Sequence, residues 1–418
     1  MITRRHFLKI GGLTLATSGW SAKVLLASEQ SQSPLLQNMV SDIKPLTAED
    51  YAARLDKARR IMAENKLDGL FLEGGTNLQY FTKVNWWRSE RTFGAVFSQK
   101  RDPIWICPGF ERKRAEELIP AGQEIRTWEE HESPYALIAG VMKDLGAAGG
   151  RLGLDPSMRH FIYWGLRRDA PGLELVDGAV VTEGCRGIKS EKEIAYMDLA
   201  NKITKLAYRE GLRGLREGMN PQDLSAAIAT AHQKMGVAGG GGPQFGPNSA
   251  FPHGSMAVRN LQNGDTVLLD GGCSVEGYRS DVTRTVFFGQ PNEKQRKVWE
   301  IVRKAQVAAL EAVKPGVTCE SVDRAARRVI EDAGFGPDYK FFAHRLGHGI
   351  GMEGHEYPYL VRGNTLKLQP GMTFSNEPGI YIYGEFGVRL EDCFVVTEDG
   401  GRTLGGLEAT AIDKPFGD

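Results

Sequence analysis

Apolar positions recur along the chain with two different periods, and the change between them divides it. From Thr47 onward, Tyr51, Leu55, Ala58 and Met62 repeat at helical spacing. Thr47 and Asp50, three residues apart, can each satisfy the other's backbone N–H and so start that helix. Leu70-Phe71-Leu72, Ala95-Val96-Phe97 and Ile104-Trp105-Ile106 are short apolar runs bounded by turn residues, which predict strands. Helices are predicted near residues 112–118 and 136–145, a strand at 151–155 and a helix near 158–168. This alternation predicts a mixed α/β domain over residues 46–185.

Ser190 with Glu193 then caps a long helix whose apolar stripe is Ile194, Met197, Ile203 and Leu206. A second helix follows Pro221, with Leu224, Ile228 and Ala231 on one face. After Gly236 strand-like runs alternate with glycine-rich loops, and a helix pair occupies residues 293–333. No repeat of fixed period occurs. A second domain over residues 186–418 is expected.

The N-terminus departs from both patterns. Thr3-Arg4-Arg5-His6-Phe7-Leu8-Lys9 precedes a moderately apolar stretch to Ala27. Residues 1–27 are expected to be a twin-arginine export signal, which places the protein in the periplasm or outside the cell and makes the export machinery a partner. Gly11, Gly12, Thr14, Thr17, Ser18 and Lys23 dilute the run below a good membrane-spanning segment. Residues 28–45, rich in Ser, Gln and Pro, are expected to be a flexible lead-in.

Composition narrows the partners. Fifty-two basic residues balance 52 acidic ones, which argues against nucleic acid as a partner, because its binding needs a basic field. The five cysteines, Cys107, Cys185, Cys273, Cys319 and Cys393, are widely spaced and form no C-x-x-C. Buried apolar roles are expected for them, rather than a disulfide framework or a zinc ribbon.

The candidate chemistry lies in the second domain. Val267-Leu268-Leu269-Asp270-Gly271-Gly272 and Ser280-Asp281-Val282-Thr283-Arg284-Thr285 read as a hairpin that brings Asp270 and Asp281 side by side. Two such carboxylates repel and raise one pKa unless a cation lies between them. The plainer alternative is one surface and one turn aspartate. Further on, His344-Arg345-Leu346-Gly347-His348-Gly349 and Gly354-His355-Glu356 hold three of the chain's eight histidines. Glycines flank His348, so this is a strand or loop and not the helical H-E-x-x-H of zinc proteases. Glu377, in Ser375-Asn376-Glu377-Pro378-Gly379, and Glu391, in Arg389-Leu390-Glu391-Asp392, each stand at the edge of an apolar run. An acid there is expensive to bury unless it is paired.

These five motifs, in this order, resemble the pita-bread metallopeptidases: methionine aminopeptidase, aminopeptidase P, prolidase and the metal-free creatinase. The resemblance is strong over residues 185–405. The first half is similar, less specifically, to the smaller N-terminal domain of the prolidase and aminopeptidase P branch. The resemblance implies an α/β (α+β) chain with a C-terminal pita-bread domain. It implies two divalent ions per subunit, held by Asp270, Asp281, His348, Glu377 and Glu391, with Asp281 and Glu391 bridging. Four carboxylates and an imidazole make a hard site, favouring manganese, with iron, cobalt or zinc as alternatives. A metal-bridging hydroxide is then the implied nucleophile, with Glu377 able to shuttle its proton. His253 matches the histidine near the leaving nitrogen, His355 the one that stabilises the oxyanion, and His344 a further pocket histidine. Arg389 matches an arginine that meets a substrate carboxylate; its plainer role is a strand-edge ion pair.

The resemblance also implies a homodimer in which one subunit's N-terminal domain reaches the neighbour's site. Trp86-Trp87 is a candidate substrate wall there, for a proline ring or an onium group. Gly239-Gly240-Gly241-Gly242 lacks a phosphate-loop lysine and is expected to be a flexible connector on the pocket rim. The first functional reading is an X-Pro dipeptidase or aminopeptidase acting on small peptides. The second is a hydrolase or lyase acting on a small osmolyte or onium compound. The third is a non-catalytic binding protein, against which the retention of all five ligands speaks.

Overall fold

The computed structural model describes residues 36–417, and the twin-arginine reading of residues 1–27 lies outside them. The first domain is built on a six-stranded sheet: β1 (Gly69–Glu73), β2 (Gly94–Ser98), β3 (Ile104–Pro108), β4 (Ile125–Trp128), β5 (Arg151–Leu154) and β6 (Glu174–Asp177), in the order β4-β3-β2-β1-β5-β6. The central strands are apolar at successive positions because both faces are covered. Leu70, Leu72, Ala95 and Phe97 pack under helices α1 (Ala48–Glu64), α2 (Thr76–Thr82) and α3 (Arg112–Leu118). The alternate residues Phe71, Val96, Ile104 and Ile106 pack under α4 (Pro134–Asp144) and α5 (His160–Asp169). The Thr47–Asp50 capping box forms as the sequence predicts. Helix α6 (Ala179–Arg186) leads out of this layer.

The second half repeats one theme twice, a helix pair laid on a curved antiparallel sheet. Helices α7 (Glu191–Leu212) and α8 (Pro221–Lys234) cover strands β7 (Gly242–Phe245) and β8 (Thr266–Gly271). A short hairpin of β9 (Ser274–Val275) and β10 (Tyr278–Arg279) then leads into β11 (Val282–Phe287), which returns along β8. Helices α9 (Glu293–Ala312) and α10 (Cys319–Asp332) cover the other sheet. Its strands are β12 (Gly347–Gly349), β13 (Glu356–Leu360), β14 (Thr373–Asn376), β17 (Asp392–Val396) and β18 (Gly401–Thr403), with the hairpin β15 (Gly379–Ile382) and β16 (Phe386–Arg389) joining β14 to β17. All five cysteines are buried and free, as the spacing predicts.

Two expectations are corrected here. Residues 36–45 are not a loose lead-in. Leu36, Met39, Val40 and Ile43 pack on the α7–α8 core, the Met39 N–H donates to the Met235 carbonyl at 3.0 Å, and Tyr196 Oη donates to the Lys44 carbonyl at 2.6 Å. The glycine run 239–242 is not a flexible connector either. Gly239 bridges to Cys273, Gly240 N–H donates to the Gly272 carbonyl at 3.0 Å, and Gly242 opens strand β7. A Cβ on Gly241 would lie 2.9 Å from the Tyr208 ring, so glycine there permits close approach rather than motion.

The two halves are locked by a buried contact. Arg54 of α1 donates to Glu193 of α7 at 2.8 Å, to the Tyr278 hydroxyl at 2.6 Å and to the Tyr80 carbonyl at 2.7 Å.

Candidate active site

Asp270, Asp281, His348, Glu377 and Glu391 come from five separate points of the two sheets and converge. Pairing of Thr283 with Asp270 in the β8–β11 ladder leaves Asp281 one step beyond the end of β11, beside Asp270. His348 is the middle residue of β12, which is squeezed between β13 and β14. A Cβ on Gly347 would come within 2.0 Å of the Ser375 carbonyl oxygen, and one on Gly349 within 2.4 Å of that of Glu356. Only glycines flanking His348 let the neighbouring backbones close around it. Glu377 follows β14, and an isolated bridge from Glu391 to Thr283 joins the sheets. Three sets of ligand atoms result, His348–Glu377–Glu391, Asp270–Asp281–Glu391 and Asp281–His348–His355, each within 4.8 Å. Asp281, His348 and Glu391 each belong to two of them, and of these Asp281 and Glu391 are the carboxylates.

The electrostatics are those of a cation site. Burial, then the charge of Asp270, pushes the Asp281 carboxyl up to about 7. Burial, then Asp281, Glu377 and Asp270, raises the Glu391 carboxyl well above the carboxylate range. Burial alone would raise Glu377 too, but the hydrogen bond from His348 and the charges of His344, His348 and Arg389 hold it at about 2. His348 Nδ1 lies 3.1 Å from the Gly349 carbonyl, where it donates as Nδ1–H. Nε2 lies 3.3 Å from Glu377 Oε1 and 3.7 Å from Asp281 Oδ2; beside these carboxylates it carries a proton and donates to Glu377, and a bound metal would take that proton's place on the Nε2 lone pair. The donor set therefore fits hard divalent ions, which would remove the repulsion among the carboxylates.

A polar frame that the sequence reading did not single out holds the ligands. Thr283 Oγ donates to Glu391 Oε2 at 2.6 Å and accepts from Arg389 Nε at 3.0 Å. Ser375 Oγ accepts from the His348 N–H at 3.0 Å and donates to Glu377 Oε1 at 3.1 Å. Tyr381 Oη accepts from Arg389 at 3.0 Å and sits 2.7 Å from His344 Nε2. His344 Nδ1 turns to the Arg345 carbonyl at 2.8 Å, so both of its nitrogens are engaged. Behind this layer Asp392 lies 2.7 Å from Lys205 Nζ and 2.8 Å from the Arg284 guanidinium, all three buried. Burial would raise the Asp392 carboxyl, but Arg284 and Lys205 hold it below the usual range.

Comparison with known proteins fixes the family. The pattern of metallopeptidase family M24 matches residues 195–398, and that of the creatinase/prolidase N-terminal domain matches residues 54–188. An Xaa-Pro dipeptidase from Lactobacillus helveticus is 34% identical over 362 residues, 84% of this chain and 96% of the relative. This chain belongs to metallopeptidase family M24. The solved dipeptidase PepE from Mycobacterium ulcerans superposes with a TM-score of 0.81 at 34% identity, over 86% of this chain and 96% of that one. A prolidase from Thermococcus sibiricus superposes at 0.77 and 32% identity, over 85% and 96%. The fold is thus an M24 pita-bread domain behind a creatinase-type N-terminal domain, and the chain is a metal-dependent peptidase.

The remaining sequence candidates fall at different places around the M24 centre. His355 is exposed and stacks on His348, ring centroids 3.7 Å apart. Burial, and then His348, Arg345 and His253, lowers its pKa, so the neutral ring prevails. His253 is exposed on a loop that Arg389 anchors through the Pro252 carbonyl at 2.9 Å. Arg389 itself is buried, and it donates to Asp270 Oδ2 at 2.6 Å. In this structure its guanidinium thus orients a carboxylate of the cluster that could hold a metal, rather than standing free. Trp86 is buried and stacked on Phe93 at 3.8 Å, whereas Trp87 is exposed with the Arg114 guanidinium 3.9 Å from its ring. The cation–π position on that face of Trp87 already has an internal occupant.

Proposed function

We propose that the chain is an X-Pro dipeptidase whose centre would hold two divalent ions through Asp270, Asp281, His348, Glu377 and Glu391. The observation that carries this reading is that two carboxylates, Asp281 and Glu391, each belong to two of the three ligand sets, together with relatives that are named Xaa-Pro dipeptidase and prolidase. Divalent ions bound there supply Lewis-acid polarisation of the scissile carbonyl and an activated water; manganese suits the oxygen-rich donors. The protein's own groups do the rest. Glu377, at the edge of the cluster beside His344 and His348, would accept and return a proton. His355, kept neutral beside His348, donates from its ring N–H to the developing oxyanion. His253, near enough to His355 to act on its charge, is assigned to the leaving imino nitrogen, and His344, fixed by Tyr381, completes the pocket wall. Arg389 keeps Asp270 in place and closes the proline side through the Pro252 loop. Trp86 is a core residue of the first domain and not a substrate wall, whereas the exposed Trp87 would meet the partner subunit's site in a homodimer. An onium substrate is disfavoured, because Arg114 covers Trp87.

Reconstitution with Mn²⁺ is expected to give about two ions per subunit by elemental analysis, and hydrolysis of Gly-Pro and Ala-Pro in preference to X-Pro-X peptides and to a panel of osmolytes. Full activity in protein free of metal would contradict the assignment.

We further propose twin-arginine export to the periplasm, supported by the motif from Thr3 to Lys9. Replacing Arg4 and Arg5 by Lys is expected to leave active, metal-loaded enzyme in the cytoplasm. Undiminished export of that variant would remove the proposal.

A further inference from the structure

A cavity of about 220 Å³ lies between the two domains, lined on one side by α6 and on the other by the segment that carries His355. His355 is the shared wall, for the same ring lies against His348 of the ligand cluster. The pocket's charges can be summed from its contacts. Glu356 is buried and accepts from Lys189 Nζ at 2.7 Å and from Arg186, which also donates to Glu353 at 3.1 Å. Two cations and two carboxylates cancel there. Glu183, also on the lining, forms no ion pair among the described residues; burial followed by the nearby charge of Asp177 raises its carboxyl against the weaker opposing pull of Arg186, which is already bound to Glu353 and Glu356. Tyr357 adds an aromatic wall close enough to Glu183 to feel its charge. The pocket is therefore left with one uncompensated negative charge beside an aromatic face. That combination suits a cation on an aliphatic stem, which can pack along the ring while its head meets the carboxylate.

We infer that this interdomain pocket receives the side chain of the substrate's N-terminal residue and selects lysine or arginine there through Glu183. The inference rests on the X-Pro reading and adds to it the class of residue that precedes proline. It also gives the N-terminal domain a role within its own subunit, because α6 carries the selecting carboxylate.

The test compares kcat/KM for Lys-Pro with that for norleucyl-Pro, which keeps the stem and lacks the ammonium group. The Mn²⁺-loaded full-length enzyme is expected to prefer Lys-Pro by about fivefold, the scale of a partly exposed ion pair. In Glu183→Gln the ratio should fall to about one, and Glu183→Lys should instead favour Glu-Pro over Gln-Pro. A wild-type ratio near one, or a ratio unchanged in both variants while norleucyl-Pro is still cleaved, overturns the inference and leaves the X-Pro reading intact. No turnover of Ala-Pro, Lys-Pro or norleucyl-Pro by the wild type overturns the X-Pro reading, and this inference falls with it.

Discussion

Glu391→Ala is expected to abolish peptide hydrolysis, a larger loss than the roughly 10²–10³-fold cost of removing one oxyanion donor by His355→Ala. The reason is its place in two of the three ligand sets, so that its removal dismantles both of those. Asp281→Ala should behave alike, since that carboxylate also lies within reach of both Asp270 and His348. A second readout separates a ligand from an ordinary structural residue. Burial and like charges hold the Glu391 carboxyl well above its normal range, so in metal-free protein it opposes folding. The metal-free melting temperature of Glu391→Ala should thus equal or exceed that of the wild type, whereas the rise on adding Mn²⁺ should disappear. Near-normal turnover, or an intact Mn²⁺-dependent rise, would falsify the assignment.

Asp392→Ala is expected to do the opposite, destabilising the fold by about 3–5 kcal/mol, because it strands two buried cations. Lys205 and Arg284 would keep only backbone carbonyls as partners, among them those of Leu404, Gly406 and Pro415. Urea unfolding of metal-free protein measures the loss. The sign of its pH dependence follows from the lowered carboxyl. A carboxylate held down in the fold stabilises above its unfolded pKa of about 3.9 and loses that contribution as pH falls through its folded value. The gap between wild type and variant should therefore narrow toward acid pH. A difference below about 1 kcal/mol at neutral pH would mean that the network contributes little, as exposed ion pairs do.

That acids within apolar strands and a histidine among glycines mark a site was legible from the residues, and the family resemblance joined Asp270, Asp281, His348, Glu377 and Glu391 into one cluster, which the structure brings together. The α/β character of the first domain followed from its alternating strands and helices, whereas the pita-bread domain was read from that resemblance. Thr283 was within reach of the same reasoning, since it stands two residues from Asp281 on one strand and so shares its face. The role of Tyr381 was not, and although an ion pair at the strand edge was one reading of Arg389, its partner was not either. Arg389 meets Asp270 across 119 residues of sequence, and no local pattern reports such a contact. In the glycine run before β7 the main chain does the pairing, which composition does not reveal. Residues 36–45 were misread for a related reason. Their polar content spoke for disorder, although Leu36, Met39, Val40 and Ile43 carry a helix-like spacing of apolar positions that the α7–α8 core absorbs.

The seating of that segment bears on the order in which the protein comes together during synthesis. Met39 emerges from the ribosome before any of the first domain, yet its backbone partner is Met235, beyond the end of α8. The first domain can close while the ribosome is still making the second. The strap at residues 36–45 must instead wait, with its apolar side chains uncovered, until α7 and α8 have been made. A truncation that removes Leu36 to Ile43 should thus expose part of the later-made core while sparing the earlier domain. A nascent chain stalled before Met235 should carry a folded first domain and a strap still open to protease.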